Sequence, residues 1–286
     1  MKEMVRKQLR GLRTRTNELL GHLGFSISRL GVDDASFANF RNLCAGYERL
    51  FSRLDGQPEI PANEQRLQIL SRLLGTPPTE AYYLVGALCR VSKLEGDVCE
   101  FGVAQGETSA LIANEIRATD KHLHLFDSFQ GLSAPTHMDR LKDDVHNLGS
   151  MSSYKGEMSY PQRFVIRRLL AIGFPEDRYS LHPGFIEEVL ASDPGCPREV
   201  SFAYVDFDLY EPILTALRYL DTVLVGGGVV IVDDYDFFST GAKSAVDEFV
   251  ADANTSSERY ALEVPDEDFG HFAVLTRRGD SSPPSQ

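Results

Sequence analysis

The sequence predicts an α/β fold: a seven-stranded, mostly parallel sheet closed by a C-terminal antiparallel hairpin and preceded by a helical segment. Three observations predict it. Short apolar runs alternate with helical stretches from about residue 79 onward. Two neighbouring runs, Phe202–Asp206 and Val229–Asp233, end in acidic residues, as strands do where an open sheet meets its ligand. The last two runs, Tyr260–Val264 and His271–Thr276, are separated by a short acidic turn with no room for a crossover helix, so they pair antiparallel.

In chain order, apolar residues recur at helical spacing over about residues 37–54 and 63–74, with Gly56-Gln57-Pro58 as the breaker between them. A third helix, about Thr79–Ser92, follows the Thr76-Pro77-Pro78 start signal. The remaining strands are Asp97–Phe101, His122–Asp127 and Arg178–His182. Gly226-Gly227-Gly228 reads as a helix stop. The expected organisation is therefore a helical segment over 1–78, a catalytic domain over 79–278 and a disordered Ser/Pro-rich tail over 279–286. The long stretch 131–175 between the second and third strands reads as a lid-like insertion.

With 286 residues, 42% of them hydrophobic and 25% charged, the chain buries a full core. No apolar run approaches the roughly 20 residues that span a bilayer, and charges occupy the place of a secretory signal's apolar region, so a cytoplasmic protein without a membrane partner is expected. Net charge is −13, whereas residues 1–20 carry six Lys/Arg against two Glu. A folded body that acidic disfavours nucleic acid, and the basic start reads as a solvated helix face or tail. Cys44, Cys89, Cys99 and Cys196 form no C-x-x-C pair and read as free thiols. More helices than one core needs point to a homo-oligomer.

The first chemical motif is Asp97-Val98-Cys99-Glu100-Phe101-Gly102-Val103-Ala104-Gln105-Gly106-Glu107-Thr108-Ser109. Gly102 and Gly106 let a ligand approach the backbone, and the following helix offers free N–H groups. The G-x-x-x-G spacing behind an acid is neither a nicotinamide nor a P-loop signature. The amino and carboxylate groups of S-adenosylmethionine suit it better, with Glu100 toward the cationic end and Phe101, Thr108 and Ser109 as further contacts. Asp127, an acid at the end of the second strand, is placed for ribose hydroxyls, with Ser128 beside it. Gly184 and Phe185, after the third strand, belong to the same cofactor edge. Each element also has a bland reading, as a packing turn or a helix cap.

The strongest constellation joins Asp206-Phe207-Asp208 to Asp233-Asp234. Four carboxylates converging at one sheet edge persist if protonated, solvated or bridged by a cation. All-oxygen ligation points to Mg²⁺, with Asp206, Asp233 and Asp234 as ligands and Asp208 aimed at the acceptor or the ion's water shell.

These motifs resemble the macrocin O-methyltransferase family of macrolide sugar O-methyltransferases. The resemblance rests on Glu100–Gly106, on Phe126-Asp127-Ser128-Phe129-Gln130-Gly131-Leu132, on Asp206-Phe207-Asp208-Leu209-Tyr210-Glu211, and on Gly227-Gly228-Val229-Val230-Ile231-Val232-Asp233-Asp234-Tyr235. It implies a Rossmann-like class I methyltransferase fold, S-adenosylmethionine as donor, Mg²⁺, and a small-molecule acceptor, a sugar hydroxyl of a glycoside. It further implies that Asp206 both binds metal and serves as base. Asp208 and His137, the latter inside the expected lid, are the other catalytic candidates. The competing reading is a D-x-D glycosyltransferase using a nucleotide-sugar and a divalent ion, which leaves Glu100–Gly106 and the Asp233-Asp234 pair unexplained. A non-enzymatic S-adenosylmethionine-binding protein is the third.

Overall fold

The computed structural model describes residues 35–51, 53 and 57–279. The basic start and the tail from 280 lie outside them. The chain divides into two compact units, Met1–Phe40 and Arg41–Gln286, and the second contains the whole sheet.

Eight α-helices and seven strands are described. Helices α1 (Ala35–Phe51), α2 (Glu64–Leu70) and α3 (Pro78–Val91) precede β1 (Asp97–Phe101), α4 (Glu107–Ile116) and β2 (Leu123–Asp127). Next come α5 (Arg163–Ala171), β3 (Tyr179–Pro183), α6 (Ile186–Ser192), β4 (Val200–Val205), α7 (Tyr210–Val223), β5 (Leu224–Val232), α8 (Thr240–Ala253), β6 (Tyr260–Glu263) and β7 (Ala273–Arg277). The sheet order is β3-β2-β1-β4-β5-β7-β6. The first five strands run parallel, and β7 pairs antiparallel with both β5 and β6, as the short acidic turn required. No helix among the described residues is long and apolar enough to cross a membrane.

Period-two alternation decides what faces what. Cys99, Phe101, Val205, Val230 and Val232 point to the side covered by α7 and α8, in the main apolar core. Glu100 and Tyr204 take the opposite face, toward α3 and α4. Helix α3 starts at Pro78, whose lost N–H is one the first turn leaves unbonded anyway, and is buried along nearly its whole length. Buried Arg66 fastens the preceding helices to the body by hydrogen-bonding Glu115 through Nε (2.8 Å) and a terminal nitrogen (2.5 Å) and Glu48 of α1 (3.2 Å).

Two local expectations change. The Gly226–Gly228 run is not a helix stop: α7 passes directly into β5 at Leu224, and the glycines form a register irregularity in that strand, with Gly227 at φ +82°. The expected lid contains helix α5, whose Val165 and Leu169 are buried, while its earlier part packs Met151 and Tyr154 against Leu209 and Phe238.

Candidate active site

The parallel ladder continues one residue past each strand end and fixes the chemistry-bearing residues in a row. Gly184 N–H donates to Asp127 O (3.0 Å), Gly102 to Phe126 O (2.9 Å), Asp206 to Phe101 O (2.7 Å) and Asp233 to Val205 O (2.9 Å). Above this row lies a cleft of about 630 Å³. Nine acidic side chains line it, and among the described residues no Lys or Arg does.

At one end, Glu100 is 1% exposed and accepts a 2.5 Å hydrogen bond from Ser109 Oγ on α4. Burial pushes its carboxyl up to about 8, against the opposing pull of the Ser109 bond. Gly106 caps α4 in the left-handed region, which an L side chain adopts only with strain. Asp127 holds the glycine turn itself: Oδ2 accepts from the Val103 and Ala104 amides (2.8 and 2.9 Å), and Oδ1 accepts from Phe129 N–H (2.6 Å). Thr108 lines the cleft and shares a 3.1 Å hydroxyl contact with Thr76. Ser128, Gly184 and Phe185 also line it.

At the other end, carboxylate oxygens of Asp206, Asp208 and Asp234 all lie within 4.8 Å of one another. Asp208 and Asp234 are held at φ +62° and +55°, strained conformations for non-glycine residues, and their turns bring both side chains to Asp206. Burial, then the charges of Asp233 and Asp208, hold Asp206 and Asp234 well above the carboxylate range. Asp208 is pushed up to about 6, chiefly by burial.

Asp233, expected as a ligand, is not in that group. Strand alternation turns it toward α3, where it accepts a hydrogen bond from Tyr204 Oη, and its Oδ1 accepts from Asp234 N–H (2.8 Å). Tyr204 also reaches Glu80 Oε1 at 3.2 Å. The other Glu80 oxygen is buried and meets no hydrogen-bond donor among the described residues. Burial and the charges of Asp233 and Asp206 raise Glu80 well above its ordinary value.

Other expected contacts divide. Phe101 does not line the cleft: it follows Glu100 on the strand, faces the core and stacks on Phe126 (4.6 Å). Ser109 is fully buried and acts through Glu100. His137 is exposed and outside the cleft lining, whereas His146 and His271 line it. Glu80 and Tyr204 carry no motif; a lone acid in the apolar register of α3 is the one signal that marks them.

A sheet of this order, with a glycine turn after β1 and an acidic edge across β4 and β5, defines a class I methyltransferase. The chain belongs to the macrocin O-methyltransferase family, whose TylF model matches residues 85–262, and it is an O-methyltransferase. It is 30% identical over 201 residues to an 8-demethyl-8-(2,3-dimethoxy-alpha-L-rhamnosyl)-tetracenomycin-C 4'-O-methyltransferase of Streptomyces olivaceus, covering 63% of this chain and 70% of that one. It is 26% identical over 178 residues to a demethyldecarbamoylnovobiocin O-methyltransferase of Streptomyces niveus, covering 60% of this chain and 64%, under two thirds, of the relative. Two solved structures share the fold. The O-methyltransferase NovP matches at TM-score 0.58 and 20% identity, over 86% of this chain and 98% of its own. The calicheamicin methyltransferase CalS11 matches at 0.54 and 21%, over 89% and 100%. The D-x-D glycosyltransferase reading finds no support among these relatives.

Proposed function

We propose that the protein transfers the methyl group of S-adenosylmethionine to a sugar hydroxyl of a glycosylated small molecule, with Mg²⁺ at the Asp206–Asp208–Asp234 group. The observation that carries this reading is the charge of the cleft: nine acids and, among the described residues, no Lys or Arg. Glu107 has Arg168 as a partner and Glu187 is exposed, but the group at the β4–β5 edge, Asp206, Asp208, Asp233, Asp234 and Glu80, is stable as anions only when cations join it. A sulfonium donor with an ammonium group and a hard divalent ion fit both ends. The unsatisfied oxygen of Glu80 and the elevated carboxyls of Asp206 and Asp234 fit the same account.

Asp206, Asp208 and Asp234 would hold the ion, which when bound supplies charge that lowers the acceptor hydroxyl's pKa. Glu100 would meet the donor's ammonium, and Gly102 admits the donor to the backbone. An Asp208 oxygen not engaged with the ion would take the hydroxyl proton. Phe237 and His271, stacked at 4.5 Å and 9°, offer a flat wall to an apolar sugar face. Alignment of oxygen and methyl is worth about 7–11 kcal/mol in favourable intramolecular comparisons, so no covalent nucleophile is needed.

The rhamnosyl group in the name of the Streptomyces olivaceus relative supports a sugar acceptor. The test is a radiolabelled methyl-transfer screen pairing rhamnosylated compounds with their aglycones. Methylation confined to the glycosylated members is expected; equal labelling of aglycones would overturn the sugar assignment.

A further inference from the structure

Outside the cleft, four titratable side chains form a continuous chain across β1, β2, β3 and the turn after α6. His182 Nδ1 lies 2.7 Å from Asp193 Oδ2, His182 Nε2 lies 3.0 Å from His124 Nδ1, and His124 Nε2 lies 3.3 Å from Asp97 Oδ2. Both imidazoles are buried, their side chains 3% and 8% exposed. The His182 ring is pinned by stacking on Phe126 at 4.3 Å and 12°.

Counting protons exposes a deficit. Carboxylates at the two ends only accept, and each neutral imidazole carries one N–H, so three contacts share two protons. If Asp97 accepts from His124 Nε2–H, then His124 Nδ1 accepts from His182 Nε2–H. In that arrangement His182 Nδ1 and Asp193 Oδ2 are two lone pairs 2.7 Å apart; in the other, His182 Nδ1–H donates to Asp193 and the longest contact, His124 to Asp97 at 3.3 Å, goes without a proton. A protonated carboxyl does not resolve this. The His182 bond holds Asp193 below its ordinary value, and at Asp97 the bonds from His124 and His122 outweigh the upward push of burial. An imidazolium is opposed as well, because burial lowers His182 against the pull of Asp193.

A third donor atom stands at the same place. In the Asp193-Pro194-Gly195-Cys196 turn, Gly195 N–H donates to Asp193 Oδ1 (2.7 Å), which leaves Oδ2 to His182 and carries Cys196 round to both. Ligand atoms of His182, Asp193 and Cys196 all lie within 4.8 Å of one another. A tetrahedral ion with bonds of about 2.0–2.3 Å has edges of roughly 3.5 Å, so the 2.7 Å His182–Asp193 pair opens and any longer separation closes to form the set. The Asp193 side chain is 34% exposed, which provides an entry path.

We propose that His182 Nδ1, Asp193 Oδ2 and Cys196 Sγ bind one Zn²⁺, a solvent oxygen completing the tetrahedron. One nitrogen, one oxygen and one sulfur form a borderline donor set that suits zinc rather than magnesium. The ion stands between His182 Nδ1 and Asp193 Oδ2 in place of any proton they share, and that proton and the Cys196 thiol proton leave to solvent. His124 and Asp97 become the outer partners that fix the His182 tautomer. The site ties the end of β3 to the turn after α6, and the intervening Gly184, Phe185, Ile186 and Glu187 line the cleft.

The test uses the full chain, stripped with chelator and titrated with Co²⁺ as a spectroscopic probe. A thiolate-to-cobalt charge-transfer band that saturates at one equivalent and is displaced by Zn²⁺ is expected. It should vanish in Cys196→Ser, weaken 10–100-fold in affinity in His124→Gln, and persist in Asp234→Asn, since the cleft offers no sulfur. Absence of the band from the unsubstituted protein, or its survival in Cys196→Ser, would overturn the proposal.

Discussion

Gly102 and Asp206 touch so closely that a β-carbon on Gly102 would lie 1.7 Å from the Asp206 carbonyl oxygen. The glycine at the end of β1 thus sets where the carboxylate at the end of β4 stands, and its φ of +87° adds a second bar to any side chain. Gly102→Ala is expected to lose donor binding at least tenfold, by calorimetry, and to destabilise by about 2–4 kcal/mol from overpacking and backbone strain. Gly149→Ala is the control: its φ is +82° with nothing within 4 Å, so only the conformational cost, about 1 kcal/mol, remains.

Removing the Tyr204 hydroxyl leaves the ring packing intact while Asp233 and Glu80 lose their shared donor. Tyr204→Phe should fold normally and weaken Mg²⁺ activation by up to about 10-fold, the low end of an outer-partner effect, because it acts through Asp233, whose Oδ1 holds the Asp234 amide. A Mg²⁺ titration of kcat/KM reads it, and an unchanged titration would mean that the hydroxyl does not position Asp233.

The two carboxylate sets make different predictions. With Asp208 in the group and Asp233 turned toward Tyr204, Asp208→Asn should weaken the ion more than Asp233→Asn does. Calorimetric Mg²⁺ titration of both variants decides it. The reverse order would mean that Asp233 swings into the site when the ion arrives.

Burial raises Glu100 from 4.5 to about 8 and Asp208 from 3.8 to about 6. Each group binds more protons folded than unfolded across its window, so stability falls as pH rises through it. Without donor or divalent ion, Tm should decline between about pH 4 and pH 8, the Asp208 share lost by about pH 6. Saturating Mg²⁺ with S-adenosylhomocysteine should flatten the slope, and a flat profile without either would contradict the burial account.

Strand positions and the acidic edge were legible because each parallel strand is a short apolar run ending in a polar turn, as Asp97–Phe101 shows without a shift of boundary. Side-chain direction was less so. Phe101 adjoins Glu100 in sequence yet lies across the sheet from it, and Asp233 and Asp234 part company because one follows the pleat and the other a left-handed turn. Glu80 and Tyr204 meet across 124 residues, a separation no local pattern encodes. His137 shares the insertion with His146, but the fold of that segment presents His146 to the cleft instead.

The most direct test is the initial rate of methyl transfer from S-adenosylmethionine to a rhamnosylated acceptor, measured in excess chelator and again after Mg²⁺ is restored. A cleft lined by nine acids, with no Lys or Arg among the described residues, predicts a rate near zero in chelator, recovery with Mg²⁺, and no recovery in Asp206→Asn. A full rate in chelator, matched by Asp206→Asn, would contradict it.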